Sequence, residues 1–162
     1  MRSQRNIALR RRGSPRIVAG SIERLMMIEF TAILDGNVEH DLEVSQRILA
    51  SSKGRRTQQF IARRNGAEIG FVSFDELPEM DCLALCELFV VTRLRGSGLG
   101  KLLLEAVEAR ARAEGYEWVT LSPWPLELGF PVDRLATWYR KQGYSERTGC
   151  PTEFEKRIEG RL

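Results

Sequence analysis

The spacing of apolar residues divides the chain into predicted strands and helices. Seven segments have the alternation, or the β-branched and aromatic content, of strands: 27–34, 59–63, 67–74, 82–91, 116–122, 144–147 and 153–158. Three segments place apolar residues at helical spacing: 40–53, the segment from Leu102 to Gly115, and 133–142. The resulting order, β-α-β-β-β-α-β-α-β-β, predicts an α/β fold with a mixed sheet.

The middle of the chain gives the clearest signals for strand pairing. Asn65-Gly66 separates 59–63 from 67–74, and this dipeptide favours a two-residue hairpin. The run 82–91 is almost continuously apolar, which is typical of a strand buried on both faces. Glu87 is the one charged residue in that run, so it is a candidate for chemistry.

Length and composition favour a single globular domain. The chain has 162 residues, of which 43% are apolar and 29% are charged, and neither value is typical of a mainly disordered protein. No stretch approaches the roughly 18 uncharged apolar residues that a membrane-spanning helix needs. We therefore expect a single domain over 26–162 and no membrane partner.

Positive charge is concentrated at the N-terminus. Residues 1–25 hold seven arginines and one acid, which gives them +6, and the other 18 basic and 21 acidic residues give 26–162 a charge of −3. We expect residues 1–25 to be a flexible basic tail outside the fold. Two alternatives stay open: an arm that contacts nucleic acid or an anionic membrane, and a transit-like segment.

Cysteine and histidine usage excludes several kinds of site. His40 is the only histidine, which excludes serine-histidine triads elsewhere in the chain and most histidine-based metal sites. The cysteines at 82, 86 and 150 are odd in number and lack metal-ligand spacing. We expect reduced thiols, a cytoplasmic location and no metal.

A glycine-rich loop between a predicted strand and a predicted helix carries the strongest functional signal. Its sequence is Arg95-Gly96-Ser97-Gly98-Leu99-Gly100, followed by Lys101. Backbone amides at a helix N-terminus attract anions, glycines allow close approach of the backbone, and the flanking cations add charge. The loop therefore predicts a pyrophosphate cradle.

Two known phosphate loops do not fit. The nucleoside-triphosphate loop needs a glycine where Arg95 stands and a hydroxyl where Leu102 stands. The dinucleotide fingerprint needs G-x-G-x-x-G, whereas the spacing here is G-x-G-x-G.

The loop resembles that of the GCN5-related N-acetyltransferase (GNAT) superfamily, whose [Q/R]-x-x-G-x-[G/A] motif binds the pyrophosphate of acetyl-coenzyme A (acetyl-CoA). The preceding ELFVV is similar to the family's fourth strand, and Trp138–Tyr144 is similar to its "fYeklGF" segment. The resemblance covers about 27–158. It implies a mixed, mostly antiparallel central sheet flanked by helices, with strands 4 and 5 splayed apart.

The resemblance also assigns residues to acetyl-CoA by position. The pantetheine arm would pair with Leu88, Phe89 and Val90, and the amide of Val90 would polarise the thioester carbonyl. The pyrophosphate would lie on the glycine-rich loop, which comprises Arg95, Gly96, Ser97, Gly98, Leu99, Gly100 and Lys101. Tyr139 matches the family's general acid, and Glu87 is the candidate base, directly or through water. Many relatives carry an asparagine at the place of Val132, so the cofactor contacts after strand 5 stay open.

The implied function is acetyl-CoA-dependent transfer of an acetyl group to a primary amine by direct attack. The alternative is a coenzyme-A-binding sensor or scaffold without catalysis, whose arginine tail touches nucleic acid. The acceptor is open: a small molecule, a peptide or a protein. The resemblance is compatible with a homodimer. Trp124 and Phe130 belong either to an acceptor pocket or to a proline-stiffened loop that packs on the helix.

Overall fold

The computed structural model describes residues 27–33 and 41–158. The predicted basic tail lies outside the described residues. None of the described helices has the length and apolar content needed to cross a membrane.

The described residues form a seven-stranded sheet with three α-helices. The strands are β1 (Ile28–Ala32), β2 (Thr57–Arg64), β3 (Ala67–Leu77), β4 (Cys82–Val90), β5 (Trp118–Leu121), β6 (Ser145–Arg147) and β7 (Cys150–Arg157). The helices are α1 (Leu42–Ala50), α2 (Leu99–Ala113) and α3 (Val132–Lys141), and 3₁₀ turns lie at Pro78–Met80 and Thr92–Leu94. The predicted order of elements is confirmed.

The strand order is β1-β2-β3-β4-β5-β7-β6, and every neighbouring pair is antiparallel except β4–β5. The predicted hairpin between β2 and β3 is present. Asn65 and Gly66 both have positive φ, 52° and 77°, as a two-residue hairpin turn of the favoured hand requires. The fold is therefore the mixed, mostly antiparallel sheet that was expected.

The parallel pair β4–β5 is short. It begins at Cys82 opposite Trp118 and ends at Leu85 opposite Leu121. Two prolines, Pro123 and Pro125, follow closely, and proline has no N–H to donate to a ladder. Strand β4 nevertheless continues to Val90 against β3. A gap therefore opens between β4 and the chain that follows β5.

A β-bulge bends β4 where this gap begins. Ser73 of β3 pairs with Glu87 and Phe74 pairs with Leu85, so Cys86 is the extra residue. An extra residue kinks a strand and increases its twist. Cys86 is exposed and Glu87 is half-buried, so β4 is not buried throughout as the apolar run had suggested.

The two faces of the sheet carry separate apolar clusters. Helix α1 covers the smaller one, which comprises Val44, Ile61, Phe71, Phe89 and Val91. Helices α2 and α3 cover the larger one, which includes Phe74, Leu83, Leu103, Val107 and Tyr139. Successive strand residues point to opposite faces, so odd-numbered residues near the end of β4 face α1.

Helix α1 is attached to the turn that leads into the glycine-rich loop. Glu43 Oε2 accepts hydrogen bonds from Thr92 N at 2.9 Å and Thr92 Oγ1 at 2.7 Å. Asp41 Oδ2 lies 2.7 Å from Arg93 Nη1. The bonds from Thr92 lower the pKa of Glu43, and the bond from Arg93 lowers the pKa of Asp41. These contacts fix the start of the loop relative to the α1 face.

We predict that Gly70→Ala destabilises the fold by about 1–3 kcal/mol or more. A Cβ on Gly70 would lie 2.0 Å from the carbonyl oxygen of Phe89 on β4, and a backbone atom has little room to move. Gly100→Ala is the control, because its Cβ would lie 3.6 Å from the Trp138 ring, and it should stay within about 1 kcal/mol of wild type. Urea unfolding of both variants gives the comparison, and equal stabilities would contradict the prediction.

Candidate active site

A cavity of about 460 Å³ occupies the gap between β4 and the chain after β5. Its walls come from four parts of the chain: 85–90 of β4, the glycine-rich loop, the segment 121–130 and helix α3. This volume lies in the range of small-molecule sites. Most of the residues predicted from the sequence therefore meet around one cavity.

The backbone of β4 faces the gap at alternate residues. Val91 N, just after β4, donates to Ile69 O of β3 at 3.0 Å. Along an antiparallel ladder, hydrogen-bonded residue pairs alternate with pairs that are not hydrogen-bonded. With this register, Phe89 points its N–H and C=O at β3, whereas Leu88 and Val90 point theirs into the gap. Phe89 also lines the cavity, but its own N–H and C=O are directed at β3.

The glycine-rich loop forms one edge of the cavity. Gly96 and Gly98 have positive φ, 76° and 84°, which a residue with a Cβ adopts only at a cost. Five of the seven predicted loop residues line the cavity: Arg95, Gly96, Gly98, Gly100 and Lys101. The other two are placed differently, since Leu99 is buried in the larger cluster and Ser97 Oγ donates to Leu94 O.

Arg95 reaches across the gap. Its Nε donates to Val90 O at 2.9 Å, and its Nη2 lies 2.6 Å from Glu127 Oε1 on the opposite wall. Its guanidinium also lies 5.3 Å from the centre of the Phe89 ring, within the range of a cation–π contact. Sequence reasoning missed Glu127, because nothing in a proline-rich segment indicates the partner of an acid.

Tyr139 enters the cavity from α3. Its ring is buried and makes edge contacts with Trp138 at 4.9 Å and Tyr144 at 5.8 Å between centroids. Tyr144 is held in turn, because its hydroxyl donates to Glu108 Oε1 of α2 at 3.1 Å. Burial raises the pKa of Tyr139 to about 12. The phenol therefore stays protonated at neutral pH and has a fixed position.

Glu87 lines the same cavity from the α1 face. Ser51 Oγ, just after α1, donates to Glu87 Oε1 at 2.8 Å, and Arg47 Nε lies 3.1 Å from Oε2. Gln59 Nε2 donates to Ser51 Oγ at 3.0 Å and completes the group. The side chain of Glu87 is only 11% exposed. Arg47 and Ser51 were not predicted, although their spacing puts both on one face of the first predicted helix.

The segment after β5 and the start of α3 complete the wall. Trp124 and Phe130, the two aromatic residues singled out from the sequence, both line the cavity. Arg134 lines it as well and lies 5.8 Å over the Phe130 ring. Val132 is exposed and does not line it. Arg134 is therefore a further cation on this wall. It lies two residues after Val132, the position where many relatives carry an asparagine.

Comparison with known proteins gives one family. Residues 55–146 match the sequence model of the acetyltransferase (GNAT) domain. A curated relative, an IAA acetyltransferase of Azospirillum brasilense, is 36% identical over 88 residues, which are 54% of this chain and 54% of the relative. The match thus spans about half the length of that relative.

Solved structures share the fold. The ribosomal-protein-S18-alanine N-acetyltransferase of Escherichia coli superposes with a TM-score of 0.58 at 17% identity, over 84% of this chain and 97% of that one. AtaTR bound with AcCoA superposes with a TM-score of 0.59 at 15% identity, over 82% and 94% of the two chains. At such low identity these likenesses show the fold alone.

We predict that Arg47→Met destabilises the protein by about 1–3 kcal/mol, because it leaves the half-buried Glu87 carboxylate without its cation. The control is Arg157→Met, which breaks the pair with Glu117 at 2.7 Å on a side chain that is 70% exposed. The control should cost less than about 1 kcal/mol. Denaturant unfolding of Arg47→Met, Glu87→Gln and the double variant measures the coupling. A coupling energy of zero would show that the two side chains do not interact.

Proposed function

The chain belongs to the GNAT family of acetyltransferases. We propose that it is an acetyl-CoA-dependent N-acetyltransferase that acetylates a primary amine by direct attack. One observation carries the proposal: the backbone groups of Leu88 and Val90 face an open gap whose edge is the glycine turn at Gly96 and Gly98. This arrangement offers polar backbone groups to an amide-containing arm and helix-terminal amides to a diphosphate.

The residues present fit acetyl-CoA. The diphosphate would lie on the loop amides from Gly96 to Lys101, with Arg95 and Lys101 as flanking cations and Arg134 on the opposite wall. The pantetheine arm would pair with Leu88 and Val90 and pass over the Phe89 ring. When bound, acetyl-CoA supplies an acetyl thioester. The similar fold of AtaTR, whose structure contains AcCoA, supports this choice of donor.

Arg95 already uses two of its nitrogens for contacts within the cavity. In the structure its Nε uses Val90 O and its Nη2 uses Glu127. A carbonyl oxygen can accept two hydrogen bonds and a guanidinium has five N–H donors, so the pantetheine arm could share the Val90 carbonyl with Arg95. A phosphate could likewise share the guanidinium with Glu127.

The reaction requires a proton to leave the amine and another to reach the departing thiolate. A C–N bond forms at the acetyl carbon and the C–S bond breaks, giving an amide and free coenzyme A. Tyr139 is protonated at neutral pH and would donate its proton to the sulfur. The amide of Val90 would donate to the carbonyl oxygen, as an oxyanion-hole donor does.

Glu87 would accept the proton of the amine, directly or through water. A carboxylate has about four lone-pair positions, and Ser51 and Arg47 each occupy one, on different oxygens. Because Oε2 is buried beside Arg47, Oε1 is the oxygen that would take up the proton. The two partners of Glu87 fix the orientation of the carboxylate, which a general base needs.

We predict that Gly98→Asp abolishes acetyl-CoA binding, measured by isothermal titration calorimetry. The aspartate would bring a negative charge to the diphosphate edge and strain a backbone with φ of 84°. Gly98→Ala is the control for strain alone, and the aspartate variant should bind at least about tenfold more weakly than this control. Unchanged binding in both variants, or no binding by the wild type, would refute the placement of the cofactor.

We predict that Tyr139→Phe lowers kcat by about 10²–10⁴-fold and leaves the Kd for acetyl-CoA nearly unchanged. Tyr116→Phe, which removes a phenol that does not line the cavity, should keep full activity. Release of free thiol across a panel of amines is the assay. Full activity of Tyr139→Phe would remove the proposed acid. Tight cofactor binding by the wild type without turnover of any amine would favour a coenzyme-A-binding sensor or scaffold.

A further inference from the structure

The wall of the cavity near the end of the β4–β5 pairing is mainly apolar, although Glu87 and Ser122 also line it there. It is lined there and along the adjoining segment by Leu85, Leu121, Trp124, Pro125, Leu126 and Leu135. Leu85 and Leu121 are the last paired residues of the two strands. Leu126 packs against the smaller apolar cluster beneath α1, on the face that also carries Glu87. An acceptor whose amine meets Glu87 therefore has apolar side chains around the rest of its body.

The charges of the cavity do not suit an acceptor with several positive charges. Glu87 and Glu127 are the carboxylates among the described lining residues, and each already has a cation: Arg47 at 3.1 Å and Arg95 at 2.6 Å. A second ammonium group would find no uncompensated carboxylate among the described residues of this wall. The excess of acidic residues that gives residues 26–162 a net charge of −3 is therefore not found among the described residues that line this cavity.

The chemistry of the attack points the same way. Only the neutral amine has a lone pair for the acetyl carbon, and an apolar wall disfavours the ammonium form. A second ammonium on the same molecule would have no carboxylate partner among the described residues of this wall, and to whatever extent it is buried it costs far more than a methyl group of similar size. The wall therefore selects against diamines and lysine-rich chains.

Trp124 gives the wall an aromatic face. Its side chain lines the cavity and is nevertheless 73% exposed. It stands between Pro123 and Pro125, whose rings restrict the backbone on both sides. An exposed indole on a stiff segment buries apolar area against a second ring at little entropic cost.

From these observations we propose that the acceptor is a small primary monoamine with an aromatic body that packs against Trp124. The inference rests on the proposed function and adds the chemical class of the acceptor. The reaction stays the one given above, in which the amine nitrogen gains the acetyl group and loses a proton while the thiol of coenzyme A is released.

Two matched pairs of amines test the proposal with the full-length chain at saturating acetyl-CoA. The first pair is 2-phenylethylamine and ethylamine, which differ by the ring. The second pair is 1-aminohexane and 1,5-diaminopentane, which have the same number of heavy atoms and differ by a terminal methyl or ammonium. We expect kcat/KM to be at least about tenfold higher for the first member of each pair.

Substitution of Trp124 tests whether the aromatic body of the acceptor packs against this side chain. Trp124→Ala should lower kcat/KM for 2-phenylethylamine by about tenfold or more, mainly through KM, and leave that for ethylamine unchanged. Leu128→Ala is the matched control, because Leu128 lies in the same segment, is fully exposed and does not line the cavity. Both variants should keep the wild-type Kd for acetyl-CoA.

The possible results distinguish a wrong acceptor class from a wrong enzymatic function. If 1,5-diaminopentane or a peptide with a free N-terminus reacts faster than the aromatic monoamine, the acceptor class is wrong and the N-acetyltransferase function stands. Equal loss for both members of the first pair in Trp124→Ala would also overturn the acceptor class. If acetyl-CoA binds but no amine reacts, the proposed function fails and the acceptor class fails with it.

Discussion

The parallel pairing of β4 with β5 lasts for four residues, and the candidate site depends on where it stops. Beyond Leu85 and Leu121 the two chains separate, because prolines follow β5 and a bulge at Cys86 bends β4. Strand β4 keeps its ladder with β3, so it remains rigid while its other edge has no strand partner. The backbone groups of Leu88 and Val90 face this opening. An unpaired strand edge in a cleft is a ready template for a ligand that carries amide groups.

Each of the two acidic side chains among the described residues that line the cavity belongs to an ion pair. Glu87 has Arg47 and Ser51 as partners, and Glu127 has Arg95. Glu87 is largely buried, and a buried carboxylate without a partner would be costly because it loses its hydration. The two pairs differ in location, since the first links α1 to β4 and the second crosses the gap itself. The first lies on the α1 side of β4, whereas the second uses the arginine that is proposed to hold the diphosphate.

The cavity connects the two faces of the sheet. Glu87 faces α1, and Tyr139 belongs to the cluster beneath α2 and α3. A proton acceptor and a proton donor thus approach the gap from opposite sides, each held by its own partners: Arg47 and Ser51 for the first, Trp138 and Tyr144 for the second. Helix α1 also holds the turn before the glycine-rich loop through Glu43 and Thr92. The position of α1 therefore fixes Glu87 and the start of the loop together.

The sequence alone determined the order of the elements, the Asn65-Gly66 hairpin, the loop at 95–101 and the membership of the family. These features follow from local rules, since turn residues, helical spacing and glycine patterns act within a few positions. Tertiary structure alone decided the partners of Glu87 and Arg95, the bulge at Cys86 and the direction of each backbone group in 88–90. In a continuously apolar strand, the sequence does not show which residues direct their N–H and C=O groups to which neighbour, because the register is set by pairing with the adjacent strand. Arg47 and Glu87 are likewise forty positions apart, and only the packing of α1 on the sheet brings their charges together.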